Sequence, residues 1–413
     1  MTKISEKWTL AHHYHSIHPK AENSSREESL TSRYLVERVI ETILEKISIN
    51  TLKDPGFKVQ DSACGTGSLL IAWYEILREY HSHEHIVNEM LSGFETNFSY
   101  FRAVRNYYGF TGILNESFLE NSMKNKVKAV TINPPYSNGM HNKFFAMAFE
   151  ALEDGGVMTC IHPSNYALTK SERIDQYESR VRSIVQEYES TIEFIDGNPH
   201  FKNAHFFGPL CITTVVKKKD KKILVKNTHL NKEDVIVNDI NDVYIHGDLS
   251  LVKSIVDKVL SKGLENFHTR NTKFDKSGPL FLQLPGVCGH PMKEGKTNPD
   301  FSCIVYKKDQ NDYKSILTND FNSLPNGRGL NVNSEEEAKN AFDVMKIKFT
   351  RFMLSTEKIG QNVWSGTMLK AIPYLDFSIS WTPESVYKFF NLSEQEIELI
   401  ETYIENYYDS DFE

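Results

Sequence analysis

Asn133, Pro134, Pro135 and Tyr136 are the first residues whose types and spacing could do chemistry. They stand in TINPPYSNG (131–139), at the end of the apolar run VKAVTI. Proline fixes φ and donates no backbone hydrogen bond, so the two prolines must end a strand that enters them and hold their neighbours in fixed directions. Asn133 and Tyr136 are the two neighbours whose side chains are held in this way. The same residues also fit a stiff loop capped by a surface tyrosine.

DSACGTGSLL (61–70) is the second such group, and it lies where the strand-like run FKVQD meets a helical pattern. An acidic residue at a strand end, followed by glycines that open a helix, is typical of a site for a nucleotide-like cofactor. Gly65 and Gly67 let a ligand approach the backbone closely, and Asp61 can accept from an amino group. The run differs from the dinucleotide pattern G-x-G-x-x-G, and a plain strand-to-helix turn is the alternative.

Two single residues extend this pattern. Glu95 ends the second predicted strand, where a carboxylate can accept both hydroxyls of a ribose. Phe118 follows in NESFLE and could lie against a flat ring. Taken alone, each has a simpler interpretation, the first as a solvated strand-end glutamate and the second as a core phenylalanine.

The order of these motifs resembles that of the S-adenosylmethionine-dependent amino-methyltransferases of DNA. D-x-A-C-G-T-G-S, an acidic residue, E-S-F and N-P-P-Y follow one another as in the γ class of that family, over residues 25–216. The resemblance implies an α/β class I methyltransferase fold, with a Rossmann-like, doubly wound, mostly parallel sheet, and S-adenosylmethionine as cofactor. The closing stretch from IPYLDFSISW to IELIETYI resembles adenine methyltransferases of phages and restriction–modification systems, which implies adenine in duplex DNA as substrate.

The resemblance also implies roles for individual residues. The catalytic motif is Asn133, Pro134, Pro135 and Tyr136, and the cofactor site comprises Thr31, Asp61, Ala63, Cys64, Gly65, Gly67, Glu95 and Phe118. Tyr136 is expected to stack on one face of the target base and Phe201 on the other, with Phe206 and Phe207 as alternatives for the second face. The family carries an acidic residue directly before the phenylalanine that packs on the cofactor's adenine, whereas here Ser117 holds that place and Glu116 precedes it.

The chemistry implied is methyl transfer to an exocyclic amino nitrogen, which is a poor nucleophile because its lone pair is delocalised into the ring. Acceptors at Asn133 and Pro134 would localise that lone pair and aim it at the methyl group, so that positioning and electrostatics carry most of the rate. The base must leave the duplex to reach the site, and stacking on Tyr136 would offset part of the cost of flipping.

Strand-like and helix-like segments alternate through the first half of the chain, which predicts a parallel sheet with helices on both faces. The predicted strands are FKVQD, EMLSGFE, TGILNES, VKAVTI, GGVMTCIHP, TIEFID and CITTVVKK. A helix closed by Gly109 and another that runs through KFFAMAFEALEDGG lie among them. KKKDKK (217–222), between two β-rich runs, predicts a charged hairpin turn.

The alternation stops near residue 226, which predicts a methyltransferase domain at 1–226, a DNA target-recognition domain at 227–370 and a C-terminal helical segment at 371–413. Short strands between turn residues make the recognition domain α+β, and its expected role is to read base edges in the major groove. Residues 335–354 predict one long amphipathic helix. The chain has a net charge of −8, but residues 217–350 contain 22 Lys and Arg against 18 Asp and Glu, which favours a phosphate-facing surface there.

Composition places the chain among ordinary globular proteins. Of its 413 residues, 40% are hydrophobic and 25% are charged, and no apolar run is long enough to span a bilayer. The N-terminal stretch lacks the apolar core of a signal peptide, so a soluble protein in the cytoplasm of a bacterial or phage-infected cell is expected. The five cysteines lie far apart, which predicts no disulfide, and the histidines of HHYHSIH and HSHEH are interpreted as polar surface, with no metal expected.

Two other functions fit parts of the pattern. NPPY also occurs in methyltransferases that act on a glutamine side chain of release factors or on guanine of ribosomal RNA, but those enzymes usually lack a long domain behind the catalytic one. A catalytically inactive DNA-binding protein has no need of Asn133, Tyr136, Gly65 and Gly67 together. Cytosine amino-methyltransferases tend to carry Ser-Pro-Pro-Tyr. Duplex DNA is the expected partner, a cognate restriction endonuclease is a second candidate partner, and the oligomeric state is left open.

Overall fold

The computed structural model of the chain describes residues 31–120, 126–169, 174–197, 199–201, 210–226, 233–246, 248–271, 280–283, 304–309, 312–317, 329–357 and 366–404. The chain forms two compact units. The first comprises Met1–Ala167 and Arg173–Ile240, and the second comprises Leu168–Glu172 and Asn241–Glu413. The first unit extends past residue 226 because a further strand at 235–237 pairs with the one that ends there.

Strands and helices alternate up to residue 240. The strands are β1 (Val59–Asp61), β2 (Leu91–Phe94), β3 (Gly112–Leu114), β4 (Val127–Ile132), β5 (Leu152–Pro163), β6 (Tyr188–Ile195), β7 (Leu210–Lys219), β8 (Ile223–Lys226) and β9 (Val235–Val237). The helices are α1 (Arg33–Leu44), α2 (Ile49–Leu52), α3 (Ser68–Leu77), α4 (His83–His85), α5 (Phe98–Tyr108), α6 (Met140–Ala151), α7 (Asn165–Leu168) and α8 (Gln176–Glu187), with a π-helical turn at Ile86–Met90 and a 3₁₀ turn at Ser137–Gly139.

The nine strands form one sheet in the order β3-β2-β1-β4-β5-β7-β6-β8-β9. Strands β1 to β5 pair in parallel, and β7 lies antiparallel between β5 and β6. The direction of winding reverses between β1 and β4, which is the switch point where open α/β sheets bind ligands. The predicted doubly wound, mostly parallel sheet is confirmed.

Apolar sequence explains the centre of this sheet. In β4, VKAVTI, five of the six residues are buried, as expected for a parallel strand covered on both faces. All ten residues of α3 are buried. This helix begins directly after Gly67, whose φ of 85° is a left-handed conformation that glycine adopts without strain.

Two local predictions are wrong. KKKDKK is not a hairpin turn, because β8 pairs in parallel with β6 and not with β7. The chain therefore leaves β7 and crosses β6 before it forms β8. Helix α6 ends at Ala151 and does not run to the glycines, since Gly155 and Gly156 lie within β5 and Gly155 adopts a φ of 71°.

The second unit has its own sheet and helices. Strands β10 (Leu280–Gln283), β11 (Ile304–Asp309), β12 (Asp312–Leu317) and β13 (Gly329–Asn331) form an antiparallel sheet in the order β12-β11-β10-β13. The helices are α9 (Leu249–Ser261), α10 (Phe267–Asn271), α11 (Glu335–Lys346), α12 (Lys348–Thr356), α13 (Gly366–Ala371), α14 (Pro383–Phe389) and α15 (Glu394–Tyr403), and a 3₁₀ turn lies at Ile240–Asp242.

The predicted single helix at 335–354 is two helices. Ile347 separates α11 from α12, since its ψ of 133° is not helical. The chain turns there because the two helices bury different sets of side chains, and α12 has buried residues along its whole length. Across the described residues, no helix is long and apolar enough to cross a membrane.

Candidate active site

A cavity of about 340 Å³ lies at the carboxyl ends of β1, β2 and β4, within the first unit. Its volume falls in the usual range of small-ligand pockets. Nine of the thirteen residues that the sequence singles out line it: Thr31, Asp61, Ala63, Cys64, Gly65, Glu95, Phe118, Asn133 and Pro135. Successive parallel strands end at the same edge of a sheet, so motifs up to 102 residues apart meet here.

The loop after β1 is shaped by hydrogen bonds of its own backbone. Gly67 donates its N–H to the carbonyl of Cys64 at 2.7 Å, and Cys64 donates to the carbonyl of Phe94 at 3.0 Å. A Cβ on Gly65 would meet no atom within 4 Å, so the backbone of Gly65 is open to a ligand. Gly67 does not line the cavity, and its part is the turn into α3.

Glu95 clamps this loop from the end of β2. One carboxylate oxygen accepts the N–H of Gly65 at 2.7 Å, and the other accepts the N–H of Asn97 at 2.6 Å. Hydrogen bonds to a carboxylate are shorter and stronger than neutral ones. A carboxylate oxygen has two lone pairs, so each oxygen can accept more than one hydrogen bond.

Asp61 is the second carboxylate of the cavity, and it is 2% exposed. It accepts the N–H of Ala63 at 3.1 Å. Burial raises the pKa of Asp61 to about 7 and the charge of Glu95 adds to this, while the Ala63 hydrogen bond opposes it. Burial also raises the pKa of the Cys64 thiol, which stays protonated and is not a nucleophile.

Two buried hydroxyl groups after β1, those of Thr66 and Ser68, indicate that the cavity binds a polar molecule. Thr66 and Ser68 are 3% and 5% exposed, and both line the cavity. Within the part of the chain that the structure describes, neither hydroxyl oxygen has a hydrogen-bond partner. Because an unpaired buried hydroxyl is costly, these two groups fit a cavity that binds a polar molecule.

Phe118 forms an aromatic wall of the cavity together with two phenylalanines. Its ring lies 5.3 Å from that of Phe94 and 5.8 Å from that of Phe144, measured between centroids. Glu116 and Ser117 line the cavity beside it. An acidic side chain therefore reaches this wall, although it stands one position earlier than in the family pattern.

Asn133 directly follows β4 and is held by two hydrogen bonds. Its Nδ2 donates to the Oγ1 of Thr31 at 3.0 Å, and its Oδ1 accepts from the hydroxyl of Tyr136 at 2.7 Å. Burial raises the pKa of the Tyr136 hydroxyl, which keeps its proton and acts as the donor. Pro134 is buried and Pro135 lines the cavity. Both prolines have a fixed φ, so the backbone between Asn133 and Tyr136 is rigid.

His141, on the helix after the motif, supports the tyrosine. Its Nδ1 lies 3.2 Å from the carbonyl oxygen of Tyr136, and the two rings meet edge to face with centroids 6.1 Å apart. A carbonyl only accepts, so Nδ1 carries the proton. Burial lowers the pKa of His141, which is therefore neutral.

Phe201 lies apart from the cavity. It is 2% exposed and belongs to the hydrophobic core, against which Tyr136 packs. Phe206 and Phe207 lie outside the described residues. The neighbouring His200 instead stacks on Tyr34, with ring centroids 4.7 Å apart and planes 6° apart, and Tyr34 is 49% exposed.

Sequence reasoning missed several residues of the site. Met140 and Phe144 line the cavity one helical turn apart, a spacing visible in α6 directly after the motif. Gly93 lies where a Cβ would come within 2.8 Å of the carbonyl oxygen of Asp61, so only glycine lets β2 approach the loop this closely. A glycine inside a strand pattern is the signal that could have indicated it.

The histidines of HSHEH make ordinary hydrogen bonds. The Nε2 atoms of His81 and His85 lie 2.7 and 2.9 Å from the carbonyls of Leu52 and Pro55. Over the described ranges, no group of three or more His, Cys, Asp or Glu side chains is arranged to hold a metal ion. The HHYHSIH run lies outside those ranges.

Comparison with known proteins adds three structural neighbours. The chain is similar to the methyltransferase subunit of a type I restriction-modification system from Streptococcus thermophilus, with 16% identity, a TM-score of 0.38 and coverage of 55% of this chain and 53% of that one. It is also similar to the EcoKI M protein of a type I restriction enzyme, with 17% identity, a TM-score of 0.36 and coverage of 49% of this chain and 49% of that one. The third neighbour is the type IIG restriction endonuclease BpuSI, with 11% identity, a TM-score of 0.41 and coverage of 67% of this chain and 38% of that one.

This chain spans about half the length of the two type I subunits. No curated protein sequence matches it. The model of the family described as N-6 DNA Methylase matches residues 20–157, a range that contains the glycine loop, Glu95, Phe118 and the Asn-Pro-Pro-Tyr motif. The match to the N-6 DNA Methylase family covers about a third of this chain, and over residues 20–157 the chain is similar to that family.

Proposed function

We propose that the protein transfers a methyl group from S-adenosylmethionine to the exocyclic N6 amino group of adenine in duplex DNA. The observation that carries the proposal is that the Asn133 amide and the carboxylate-clamped glycine loop line one cavity at the switch point of the sheet. This cavity puts the acceptors for an amino group beside a site for a cofactor, as transfer between two bound molecules requires.

The residues of the cavity fit the cofactor. The carboxylates of Asp61 and Glu95 suit a cationic ligand that carries hydroxyl and amino donors. The unpaired hydroxyls of Thr66 and Ser68 suit its carboxylate end, and the wall around Phe118 suits its adenine ring. When bound, S-adenosylmethionine supplies a methyl group activated by a positively charged sulfur.

The chain's own contribution is to hold and activate the target amino group. The Asn133 Oδ1 and the Pro134 carbonyl accept its two hydrogens, which localises the nitrogen lone pair. The prolines fix both acceptors in advance, so little reorganisation accompanies the reaction. The Tyr136 ring offers a stacking face to the flipped base, and His141 holds the backbone of that tyrosine.

The second face of the base pocket is assigned only by family resemblance, to Phe201. This side chain would reach a base only if it left the core where it is now buried. Tyr34 and His200 form an exposed ring stack close to these residues in sequence. His200 directly precedes Phe201, and Tyr34 lies three residues after Thr31.

Methyl transfer by the intact protein tests the proposal. Duplex DNA from cells that express the wild-type protein should carry methylated adenines at a defined sequence, as scored by long-read sequencing. Asn133→Ala should abolish transfer and retain binding of S-adenosylhomocysteine. Asn106→Ala, an exposed asparagine of α5, is the matched control and should leave transfer unchanged.

Outcomes of that experiment separate the alternatives. Methylation of a protein glutamine or of ribosomal RNA in place of DNA would favour the other substrate classes. DNA binding without any methyl transfer would favour a binding protein. Full activity of Asn133→Ala would contradict the mechanism.

Residues 227–370, most of which lie in the second unit, are proposed to read the DNA sequence. Support comes from the backbone register of β11 and β12, which places Lys307 opposite Lys314. A cognate restriction endonuclease as a partner is also proposed from the resemblance alone.

Replacement of these two lysines tests the DNA contact. Lys307→Gln with Lys314→Gln should lower the slope of log affinity against log salt by about two if both lysines contact phosphates. Lys218→Gln with Lys221→Gln, both exposed lysines of the first unit, removes the same charge and should leave the slope unchanged. Equal effects of the two pairs would contradict a specific role for the second unit.

A further inference from the structure

Thr31 connects the cofactor cavity to the catalytic amide. It is 6% exposed, it lines the cavity, and its Oγ1 accepts a hydrogen bond from the Nδ2 of Asn133 at 3.0 Å. The other end of the amide, Oδ1, accepts from Tyr136 at 2.7 Å. The oxygen of Asn133 therefore faces the tyrosine, and its nitrogen faces the threonine.

The direction of this amide matters for the proposed reaction. The two ends of an asparagine side chain have nearly the same shape, but one accepts and the other donates. A target amino group needs an acceptor, so an amide turned by 180° would present N–H groups to the N–H groups of the base. Something in the site must hold the productive orientation.

The Thr31 hydroxyl has a single proton to donate, and where that proton goes determines which end of the Asn133 amide can face it. If the Thr31 hydroxyl gives its proton to an acceptor in the cavity, its oxygen can only accept, and the neighbouring amide must then present Nδ2. A carboxylate is such an acceptor, because it has no proton to donate. The carboxylate of a bound S-adenosylmethionine is the group of that chemistry for which the cavity is proposed.

We infer that Thr31 is a positioning residue that holds the Asn133 amide with its oxygen toward the target base, and that cofactor binding strengthens this hold. The inference rests on the proposed function. It goes beyond a contact between Thr31 and the cofactor, because it makes the threonine hydroxyl responsible for selecting an amino-bearing base.

Thr31→Val tests the inference because valine keeps the shape of threonine and removes the hydroxyl. At saturating cofactor and DNA, the single-turnover rate of methyl transfer should fall by about tenfold, because the variant loses the free energy of roughly one hydrogen bond. Thr31→Ser, which restores a hydroxyl, should recover most of the lost rate. Calorimetry with S-adenosylhomocysteine measures any loss of cofactor affinity separately.

A double-mutant cycle isolates the orientation effect. Asn133→Asp places an oxygen at both ends of the side chain, so no orientation remains to be held. Thr31→Val should then cost about tenfold in the protein that retains Asn133 and nothing further in the protein that carries Asn133→Asp. An equal loss in both backgrounds would overturn the inference.

DNA binding in the presence of S-adenosylhomocysteine gives a readout that does not depend on transfer. Duplexes carry either adenine or purine, which lacks the amino group, at the position methylated by the wild-type protein. Wild type should prefer adenine, and Thr31→Val should reduce that preference by about tenfold while Thr31→Ser retains it. This comparison decides the matter even if Asn133→Asp is inactive.

Failures of the two proposals are distinguishable. If the wild-type protein methylates DNA and Thr31→Val changes only cofactor affinity, Thr31 is a cofactor contact and the inference is overturned while the proposed function stands. If the wild-type protein does not methylate DNA adenine, the proposed function is overturned, and this inference with it.

Discussion

Replacement of Glu95 by glutamine tests how the glycine loop after β1, the proposed cofactor loop, is held. The two oxygens of Glu95 accept the N–H groups of Gly65 and Asn97 at 2.7 and 2.6 Å. Glutamine has one oxygen, so either orientation of its amide places an NH₂ group against one of these two backbone donors. The variant therefore loses one charge-assisted hydrogen bond and weakens the other.

The expected loss follows from these contacts. Hydrogen bonds to charged groups contribute about 1.5–3 kcal/mol each, and a misplaced loop also loses its contacts with the cofactor. Glu95→Gln should therefore weaken the binding of S-adenosylhomocysteine by about 1–3 kcal/mol, or about 5- to 150-fold. Isothermal calorimetry measures the dissociation constant, and thermal unfolding detects any general loss of stability.

Glu79→Gln is a matched control, since Glu79 is an exposed glutamate in the turn that follows α3. It should change neither the dissociation constant nor the melting temperature. An unchanged dissociation constant in Glu95→Gln would refute the reasoning, because it would mean that the loop keeps its shape without the carboxylate. A large drop in melting temperature would instead assign the carboxylate to folding.

Two further predictions concern Tyr136 and Asp61. Tyr136→Phe removes the hydroxyl that donates to Asn133 Oδ1 and keeps the ring, so DNA binding measured by fluorescence anisotropy should be retained or tightened. Tyr136→Ala also removes the ring and should lose roughly 1–3 kcal/mol of stacking. Equal losses of DNA affinity in the two variants would mean that the ring does not stack on the base. Burial raises the pKa of Asp61 to about 7 from an ordinary 3.8, so its contribution to stability is full below about pH 4 and is lost as pH rises through 7. The melting temperature of the ligand-free protein should therefore fall more steeply between about pH 5 and pH 8 than that of Asp61→Asn, and parallel curves would contradict the assignment.

The sequence predicts the sheet of the first unit well because its motifs follow the ends of successive strands. In a parallel sheet, those ends must share an edge, so Asp61, Glu95 and Asn133 could be brought together without any coordinates. The helix closed by Gly109 was equally predictable, since it ends on a glycine with a φ of 74°.

What the sequence did not predict depends on contacts between distant segments. Nothing local distinguishes a lysine-rich hairpin turn from a crossing over β6, because strand pairing depends on which edge is already occupied. From the sequence alone, Phe201 fits a pocket wall and a core residue equally well. Its burial follows from the packing of the hydrophobic core around it. The break at Ile347 likewise depends on what each helix buries, since both halves have helical periodicity.

The Thr31–Asn133 pair shows why such contacts matter for chemistry. Asn133 directly follows β4, while Thr31 directly precedes the N-cap of α1. Helix α1 is fixed to the sheet by Arg38, whose Nε lies 2.9 Å from both carboxylate oxygens of Glu193 on β6. Glu193 has no exposed surface, so this ion pair cannot open without leaving a buried charge unpaired, at a cost of about 3–5 kcal/mol. This ion pair, with the buried side chains of α1, holds Thr31 against the sheet that positions Asn133. A substitution at Arg38 should therefore act on the proposed chemistry through the position of α1.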